Sequence, residues 1–192
     1  MTATNIHIPT LETTRLILRA PRLADEKFYV AFKTSQRSEY TNGPLDANTA
    51  TGLFSEVAGE WIMRGYGLFM GTTKEDPDTV IGGFGVFHPS GQNEPEFGWS
   101  LYDGQFEGKG YVTEAMRAVI SWAWPVMGVD TAQSHISPGN NATLVVAKRL
   151  GAVFDPEETK IANSEGGQFF DPDHSVSNPK VNIWRHTQGQ LK

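Results

Sequence analysis

Gln105-Phe106-Glu107-Gly108-Lys109-Gly110-Tyr111-Val112-Thr113-Glu114-Ala115 joins two segments of different periodicity. Ahead of it, Glu96-Phe97-Gly98-Trp99-Ser100-Leu101 reads as a strand; behind it, Val112 to Met127 reads as a helix. A strand that enters a glycine-rich turn at a helix start makes a site for an anion. The first turn of a helix carries backbone N–H groups without intrahelical partners, and the macrodipole adds partial positive charge there. Glycines at 108 and 110 remove the side chains that would hold a phosphate away from those groups. The donors expected are the N–H groups of Glu107, Gly108, Lys109, Gly110, Tyr111 and Val112, with Lys109 adding charge and Thr113 a hydroxyl. The plainer reading is an ordinary helix start after a glycine turn. The sharper one is a protein that binds a pyrophosphate-bearing cofactor and transfers a group from it.

The helix behind the turn aligns Met116, Val119, Ile120, Ala123 and Met127 on one stripe, a face to be buried. Upstream, the strands Tyr66 to Thr72 and Val80 to His88 flank the charged loop Lys74-Glu75-Asp76-Pro77-Asp78 as a hairpin, and Glu94 to Tyr102 follows as the next strand. Leu11 to Ala20 reads as a first strand stopped by Pro21. Helices follow at Asp25 to Ser35 and at Asn48 to Met63. The second of these repeats Leu53, Val57 and Trp61 every fourth residue and is closed by Gly65 and Gly67. Downstream, Thr131 to Ser137 is a strand, Pro138-Gly139-Asn140 a turn, and Asn141 to Leu150 a helix closed by Gly151. Val153-Phe154 starts another strand, Ser164 to Pro179 is a Gly-, Asp- and Pro-rich loop, and Val181 to Arg185 is the final strand. The order β-α-α-β-β-β-α-β-α-β-β predicts a single α/β domain over residues 1–192, with its core at about 11–187. Hairpin links between the central strands make the sheet mixed rather than doubly wound.

The 192 residues suffice for one domain with a substantial core. A 39% hydrophobic content, with five Trp and eleven Phe spread along the chain, argues for a folded protein. A net charge of −6 supplies no positive field for nucleic acid or anionic lipid, so neither is an expected partner. The chain has no cysteine, which excludes disulfides, thiolate metal sites and a cysteine nucleophile, and fits a reducing cytoplasm. No run approaches the roughly 18 apolar residues of a spanning helix. Met1 to Pro9 has neither the basic start nor the apolar stretch of a signal peptide. The five histidines lack metal-ligand spacing, so no metal is expected.

Four motifs, in this order of elements, resemble those of the GNAT N-acetyltransferases. Gln105-x-x-Gly108-x-Gly110, followed by Tyr111-x-Thr113-Glu114-Ala115, is similar to that family's acyl-CoA pyrophosphate loop. Leu11-Glu12-Thr13-Thr14-Arg15-Leu16-x-Leu18-Arg19 resembles the N-terminal signature of the branch that holds the ribosomal-protein N-terminal acetyltransferases. Pro95-Glu96-Phe97-Gly98-Trp99 resembles a strand of that branch, and Asn140-x-x-Thr143 with Lys148-Arg149-Leu150-Gly151-Ala152 resembles a later segment. The likeness runs from about Leu11 to Phe154. It implies a mixed, mostly antiparallel central sheet with helices on both faces. It also implies that the fourth and fifth strands, Glu96 to Leu101 and Thr131 to Ser137, splay apart around a pantetheine arm. Acetyl-CoA would be the acyl donor, and a primary amine, on a protein N-terminus or a small molecule, the acceptor. A noncatalytic acyl-CoA-binding or sensor domain of the same fold is the alternative, and monomer and homodimer both stay open.

Acetyl transfer to an amine has three needs. The amine must be neutral, although α-amines have a pKa of about 8 and lysines about 10.4. The thioester carbonyl must be polarised, and the leaving thiolate stabilised or protonated. Within the resemblance, Glu96 is the candidate general base, directly or through a water; it could also only bind the ammonium, or be a solvated edge glutamate. A backbone N–H among Phe97, Gly98 and Trp99 would polarise the carbonyl. Gly98 would leave room for the acyl group, or mark a bulge or packing site. Asn140 would hydrogen-bond the pantetheine arm or cap a helix. Thr143 stands where the family often has serine and would donate toward the sulfur. Ala147 stands where many members carry a tyrosine acid. Arg37, Tyr40 and Trp61 fall in the family's acceptor region. His88 and His135 lie on predicted strands, where either could approach the cleft, and read first as structural or exposed; Trp122 and Trp124 read as core or dimer contacts. A dinucleotide oxidoreductase does not fit: a third glycine at the required spacing is missing, and Pro21 rather than a glycine turn follows the first strand.

Overall fold

The computed structural model describes residues 7–88, 92, 94–174 and 179–191. Residues 1–6 of the N-terminal segment, and 175–178 of the loop expected at Ser164 to Pro179, lie outside the described residues. Eight strands, β1 (Leu11–Glu12), β2 (Leu16–Arg19), β3 (Leu68–Thr73), β4 (Val80–Phe87), β5 (Glu96–Leu101), β6 (Thr131–Ile136), β7 (Val153–Phe154) and β8 (Asn182–Thr187), form one sheet in the order β1-β2-β3-β4-β5-β6-β8-β7. Every pairing is antiparallel except β5 with β6. The helices are α1 (Glu26–Lys33), α2 (Ala47–Arg64), α3 (Tyr111–Met127), α4 (Asn141–Arg149) and α5 (Pro156–Asn163). A 3-10 turn at Gln36–Thr41 bridges α1 and α2.

Adjacent residues of β3 point to opposite faces, as strand pleating requires. Phe69 joins Leu16, Leu18, Ile81 and the α3 stripe of Met116, Val119, Ile120 and Ala123 in one buried cluster. Leu68 and Met70 join Tyr29, Phe32, Phe54 and Val57 of α1 and α2 in another. Helices therefore cover both faces of a mixed, mostly antiparallel sheet. Trp122 packs on Trp61 and Phe69, and Trp124 sits edge-on to Phe97, so both indoles are core.

Two expectations need correction. The segment Leu11 to Ala20 is two strands, because the Thr13 hydroxyl accepts from Leu16 N–H at 2.9 Å and folds the chain back, pairing Leu11 with Leu18. The glycine turn therefore follows the fifth strand rather than the fourth. Beyond Phe154 the chain turns helical: Asp155 caps α5 by accepting from Glu158 N–H at 2.9 Å, and Pro156 takes the first helical position, where its missing N–H costs nothing.

The strands that matter most are β5 and β6. β4 and β5 share six register pairs, as do β6 and β8, whereas β5 and β6 share only Glu96 with Gln133. Beyond that pair a side chain replaces the ladder. Ser134 Oγ–H donates to Phe97 O at 2.7 Å, so the His186 Nε2–H must donate to Ser134 Oγ at 2.9 Å. Burial lowers the His186 pKa to about 4, which keeps this bridge neutral.

Candidate active site

The glycine turn takes the shape that its sequence requires. Gly108 has φ 71° and Gly110 φ 79°, and Gly110 is the N-cap of α3. A Cβ at Gly108 would meet nothing within 4 Å, so the backbone there is open to a ligand. The turn is braced from the N-terminus. The Glu114 carboxylate accepts from Thr13 Oγ1 at 2.6 Å, Arg15 N at 2.8 Å and Arg15 Nε at 2.7 Å, while Arg15 Nη1 donates to Lys109 O at 2.9 Å. Burial alone would raise the Glu114 pKa, but these bonds outweigh it and the net shift is downward. The Thr-x-Arg signature and the glycine turn are thus one unit, tied by residues about a hundred positions apart.

Two cavities adjoin this unit. The larger, of about 760 Å³, is walled by Glu107, Gly108, Gly110, Tyr111, Val112 and Thr113 of the turn, by Trp99 and Ser100 of β5, and by Asn140 and Thr143 of α4. The smaller, of about 380 Å³, includes Glu96, Phe97, Gly98 and His135 in its wall. Phe32, Tyr40, Thr41, Trp99, Ser100, Asn140 and Thr143 belong to both, so the cavities meet at the β5–α4 junction. Two expected cofactor residues are off both walls. Gln105 spends its N–H on Asp103 Oδ1 at 2.9 Å, and Lys109 lays its ammonium over the Phe106 ring.

The phase of β5 identifies the amide that faces the gap. Pro95 O accepts from Gln133 N–H and Phe97 O from Ser134, so odd-numbered residues turn their backbone groups toward β6. Tyr102 N–H points the other way, to Ile81 O on β4. By this alternation Trp99 N–H and C=O face the β6 side, three residues beyond Glu96, where the ladder ends. The Gly98 amide is directed at β4 instead. Gly98 pairs in regular register with Gly85, so it is not a bulge; a Cβ there would lie 2.7 Å from the Phe87 ring, and Gly98 also lines the smaller cavity.

On the smaller cavity, Glu96 Oε2 lies 3.0 Å from His135 Nδ1, and His135 Nε2 faces the Gln133 side-chain amide at 3.1 Å. His135 is thus fixed beside the carboxylate on a cavity wall, the less expected of its two readings. The opportunity to see this lay in β6, where Thr131, Gln133 and His135 alternate with buried residues, but the partner strand was not readable. His88 is structural, holding Tyr66 OH at 3.1 Å and Gln92 O at 3.2 Å. Asn140 caps α4, its Oδ1 accepting from Thr143 N–H at 3.2 Å. Ala147 is fully buried against Ile136 and Ala152, away from both cavities. Trp61 is core, with its indole N–H donating to Leu68 O at 3.0 Å, and lines neither cavity; of the other two residues expected near an acceptor, Tyr40 lines both cavities and Arg37 only the larger. Arg37 pairs with Glu107 across the larger cavity. The Tyr40 hydroxyl approaches within 3.3 Å of the point where a Gly139 Cβ would stand, next to Asn140. Tyr29 and Tyr102 line the smaller cavity as neutral phenols. Burial and the Glu56 charge push Tyr29 up to about 12, and burial, with Tyr29 and Asp25 nearby, raises Tyr102.

Among the described residues no group of three His, Asp or Glu side chains is arranged to hold a metal ion, and no helix is long and apolar enough to cross a membrane. Residues 15–153 match the acetyltransferase (GNAT) domain family. No curated protein matches the chain. An acetyltransferase from Agrobacterium tumefaciens str. C58 is 33% identical, with a TM-score of 0.78 over 98% of this chain and 99% of that one. RimL, a ribosomal-protein α-N-acetyltransferase solved with coenzyme A, is 15% identical, with a TM-score of 0.69 over 93% of this chain and 98% of that one. MccE, a microcin self-immunity acetyltransferase solved with acetyl-CoA and AMP, is 14% identical, with a TM-score of 0.65 over 91% of this chain and 93% of that one. These last two share the fold.

Proposed function

Since the chain belongs to the acetyltransferase (GNAT) domain family, we propose that it moves an acetyl group from acetyl-CoA to a primary amine by direct attack in a ternary complex. The observation that carries this reading is the meeting of two cavities at Trp99, Asn140 and Thr143. One is floored by the open glycine turn, and the other holds a carboxylate–imidazole pair. The diphosphate would rest on the amides of residues 108–112 at the start of α3, without the expected Glu107 N–H, which is already donated to Gly104 O at 3.0 Å. The pantetheine arm would then run along the edge of β5 beside Asn140, where the ladder to β6 has stopped. That path leads the thioester to Trp99 N–H.

The chemistry follows from the groups at the junction. Glu96, held by His135, takes a proton from the acceptor ammonium. The freed nitrogen lone pair forms the new C–N bond at the thioester carbon, and the Trp99 N–H stabilises the oxyanion. The nitrogen, cationic after attack, gives up a second proton as the C–S bond breaks, and the sulfur takes one from the acid beside it, which the nitrogen's proton replaces. Thr143, on the wall of both cavities, would hydrogen-bond the sulfur, but an alcohol is a weak acid. Tyr40 shares the same wall and offers a phenol, a far stronger acid than an alcohol, in place of the tyrosine absent at Ala147. The products are the acetamide and CoA–SH, with the amine's proton passed to solvent through Glu96.

A thiol-release assay over a panel of amines, paired with calorimetric titration of CoA, tests the proposal. Glu96→Gln should lower kcat/KM by about 100-fold and leave CoA affinity unchanged. If CoA binds and no amine yields thiol, the transferase reading is wrong and a binding domain remains.

A further inference from the structure

Glu107 puts a carboxylate on the wall of the larger cavity, one residue before Gly108 and the amides that would hold a diphosphate. A negative charge there repels such a ligand. The Glu107 backbone does not compensate, because its N–H is donated to Gly104 O at 3.0 Å. What the carboxylate does hold is Arg37, whose Nη2 donates to Glu107 Oε1 at 2.5 Å. The guanidinium lies against Gly104, where a Cβ would stand 3.1 Å from Nη1. Arg37 thus reaches from the 3-10 turn Gln36–Thr41 to the start of the anion site. The other cations nearby are placed differently. Arg15 spends Nε and Nη2 on Glu114 and Nη1 on Lys109 O, and Lys109 rests over the Phe106 ring, off both walls. Arg149 lines the larger cavity from α4, but among the described residues only Arg37 joins that wall to the glycine turn by an ion pair.

Resting on the reading of this turn as the cofactor site, we propose that Arg37 is a cofactor-binding residue, which exchanges the Glu107 carboxylate for the diphosphate when CoA binds. Two features of the pair favour exchange. Its side chains are 36% and 59% exposed, and ion pairs so open to water hold weakly against a competing anion. A guanidinium also carries five N–H donors in a fork that matches phosphate oxygens, and among the described residues Arg37 uses one of them. The pair Arg15 with Glu114 is built differently. Its carboxylate also accepts from Thr13 Oγ1 and from Arg15 N, so it serves as a fixed brace. Arg37 then acts on the donor side of the reaction, not in the acceptor region where the resemblance had put it. Glu107 keeps the cation beside the turn and competes with the diphosphate for it.

A brace and an exchanging pair differ in the sign of one measurement. CoA is titrated calorimetrically, at low ionic strength, into the wild type, Arg37→Gln, Glu107→Gln and the variant carrying both changes. Arg37→Gln should weaken CoA binding by about tenfold, the scale of one charge-assisted hydrogen bond. Glu107→Gln removes the competitor and its repulsion together, and should tighten binding by about three- to tenfold. The double variant should fall between the two. Dephospho-CoA keeps the diphosphate and lacks the 3′-phosphate, and should show the same pair of changes. Circular dichroism and thermal melts confirm that each variant is folded. Glu107→Gln binding CoA no more tightly than the wild type would make the pair a brace and overturn the exchange. Wild-type affinity in Arg37→Gln would overturn it too. Changes seen with CoA but absent with dephospho-CoA would move Arg37 to the 3′-phosphate and overturn its assignment to the diphosphate. Those three outcomes leave CoA binding standing, whereas a wild type that binds no CoA removes the cofactor site and the exchange together.

Discussion

Replacing Gly110 with aspartate, beside a Gly110→Ala control, isolates the electrostatic part of the glycine turn. Both variants force a side chain onto a backbone with φ 79°, a strain of about 1–2 kcal/mol that weakens the fold rather than the binding step. Neither clashes: the new Cβ would have Arg15 Nη2 at 3.6 Å as its nearest neighbour. That guanidinium does not cancel the added carboxylate, because it is already joined to Glu114 through Nε at 2.7 Å and Nη2 at 2.6 Å. The aspartate would therefore stand as an uncompensated charge at the N-cap, about 4–5 Å from a diphosphate seated on these amides. Two unit charges at such a distance repel by about 1 kcal/mol in water and about 4 at an effective dielectric of 20. The position is exposed, so the lower end applies, and a diphosphate carries two such charges. The aspartate should weaken CoA binding by about 2 kcal/mol relative to alanine, roughly 30-fold. Titration calorimetry at low and high ionic strength reads both the gap and its origin, since screening shrinks a surface electrostatic term. Thermal melts of both proteins confirm the fold. An aspartate variant that binds CoA as tightly as the alanine variant at low salt would refute the placement of the diphosphate on this turn.

Three further outcomes follow from single residues. Tyr40→Phe should lower kcat by about 10- to 100-fold with little change in the KM for acetyl-CoA, more than Thr143→Val does; equal and small losses in steady-state kinetics would remove the phenol from the acid role. His186 is neutral in the fold down to about pH 4, while the unfolded chain takes up a proton near 6.5. Its contribution is present above pH 6.5 and lost as the pH falls toward 4, about 3 kcal/mol in all, and urea titrations across that range should show the loss in the wild type but not in His186→Gln. Asp25 accepts two guanidinium bonds from Arg19, at 2.6 and 2.8 Å, with both side chains buried. Asp25→Ala strands that cation and should cost about 3–5 kcal/mol in chemical denaturation, against a far smaller loss for the exposed partner in Glu12→Ala.

The features legible in the sequence are those that a single segment determines. The α3 stripe, the α2 repeat and the side-chain-free turn at Gly108 and Gly110 were readable because helical period and the absence of a side chain are local properties, as in Met116, Val119, Ile120 and Ala123; the positive φ of the two glycines belongs to the structure. What one segment cannot determine is the phase in which it meets another. The hydroxyl of Thr13 splits the first strand, a choice invisible in the apolar run Leu16-Ile17-Leu18 that follows. Glu96 was a candidate from its motif, yet its partner His135 became visible only through the single β5–β6 pairing, Glu96 with Gln133, which brings the two side chains to one face. Shift that register by one residue and His135 would exchange faces with Ser134. The bridge to Phe97 O would go, and the carboxylate would lose its imidazole. The same pairing ends after one step, which leaves Trp99 N–H without a strand neighbour and opens the gap. The candidate catalytic group, the candidate oxyanion donor and the space for a thioester are therefore consequences of one event, the early parting of β5 from β6. Ser134 and His186 hold that parting in place, so a change at either should disturb the chemistry proposed for Glu96 even though neither is assigned a step of it.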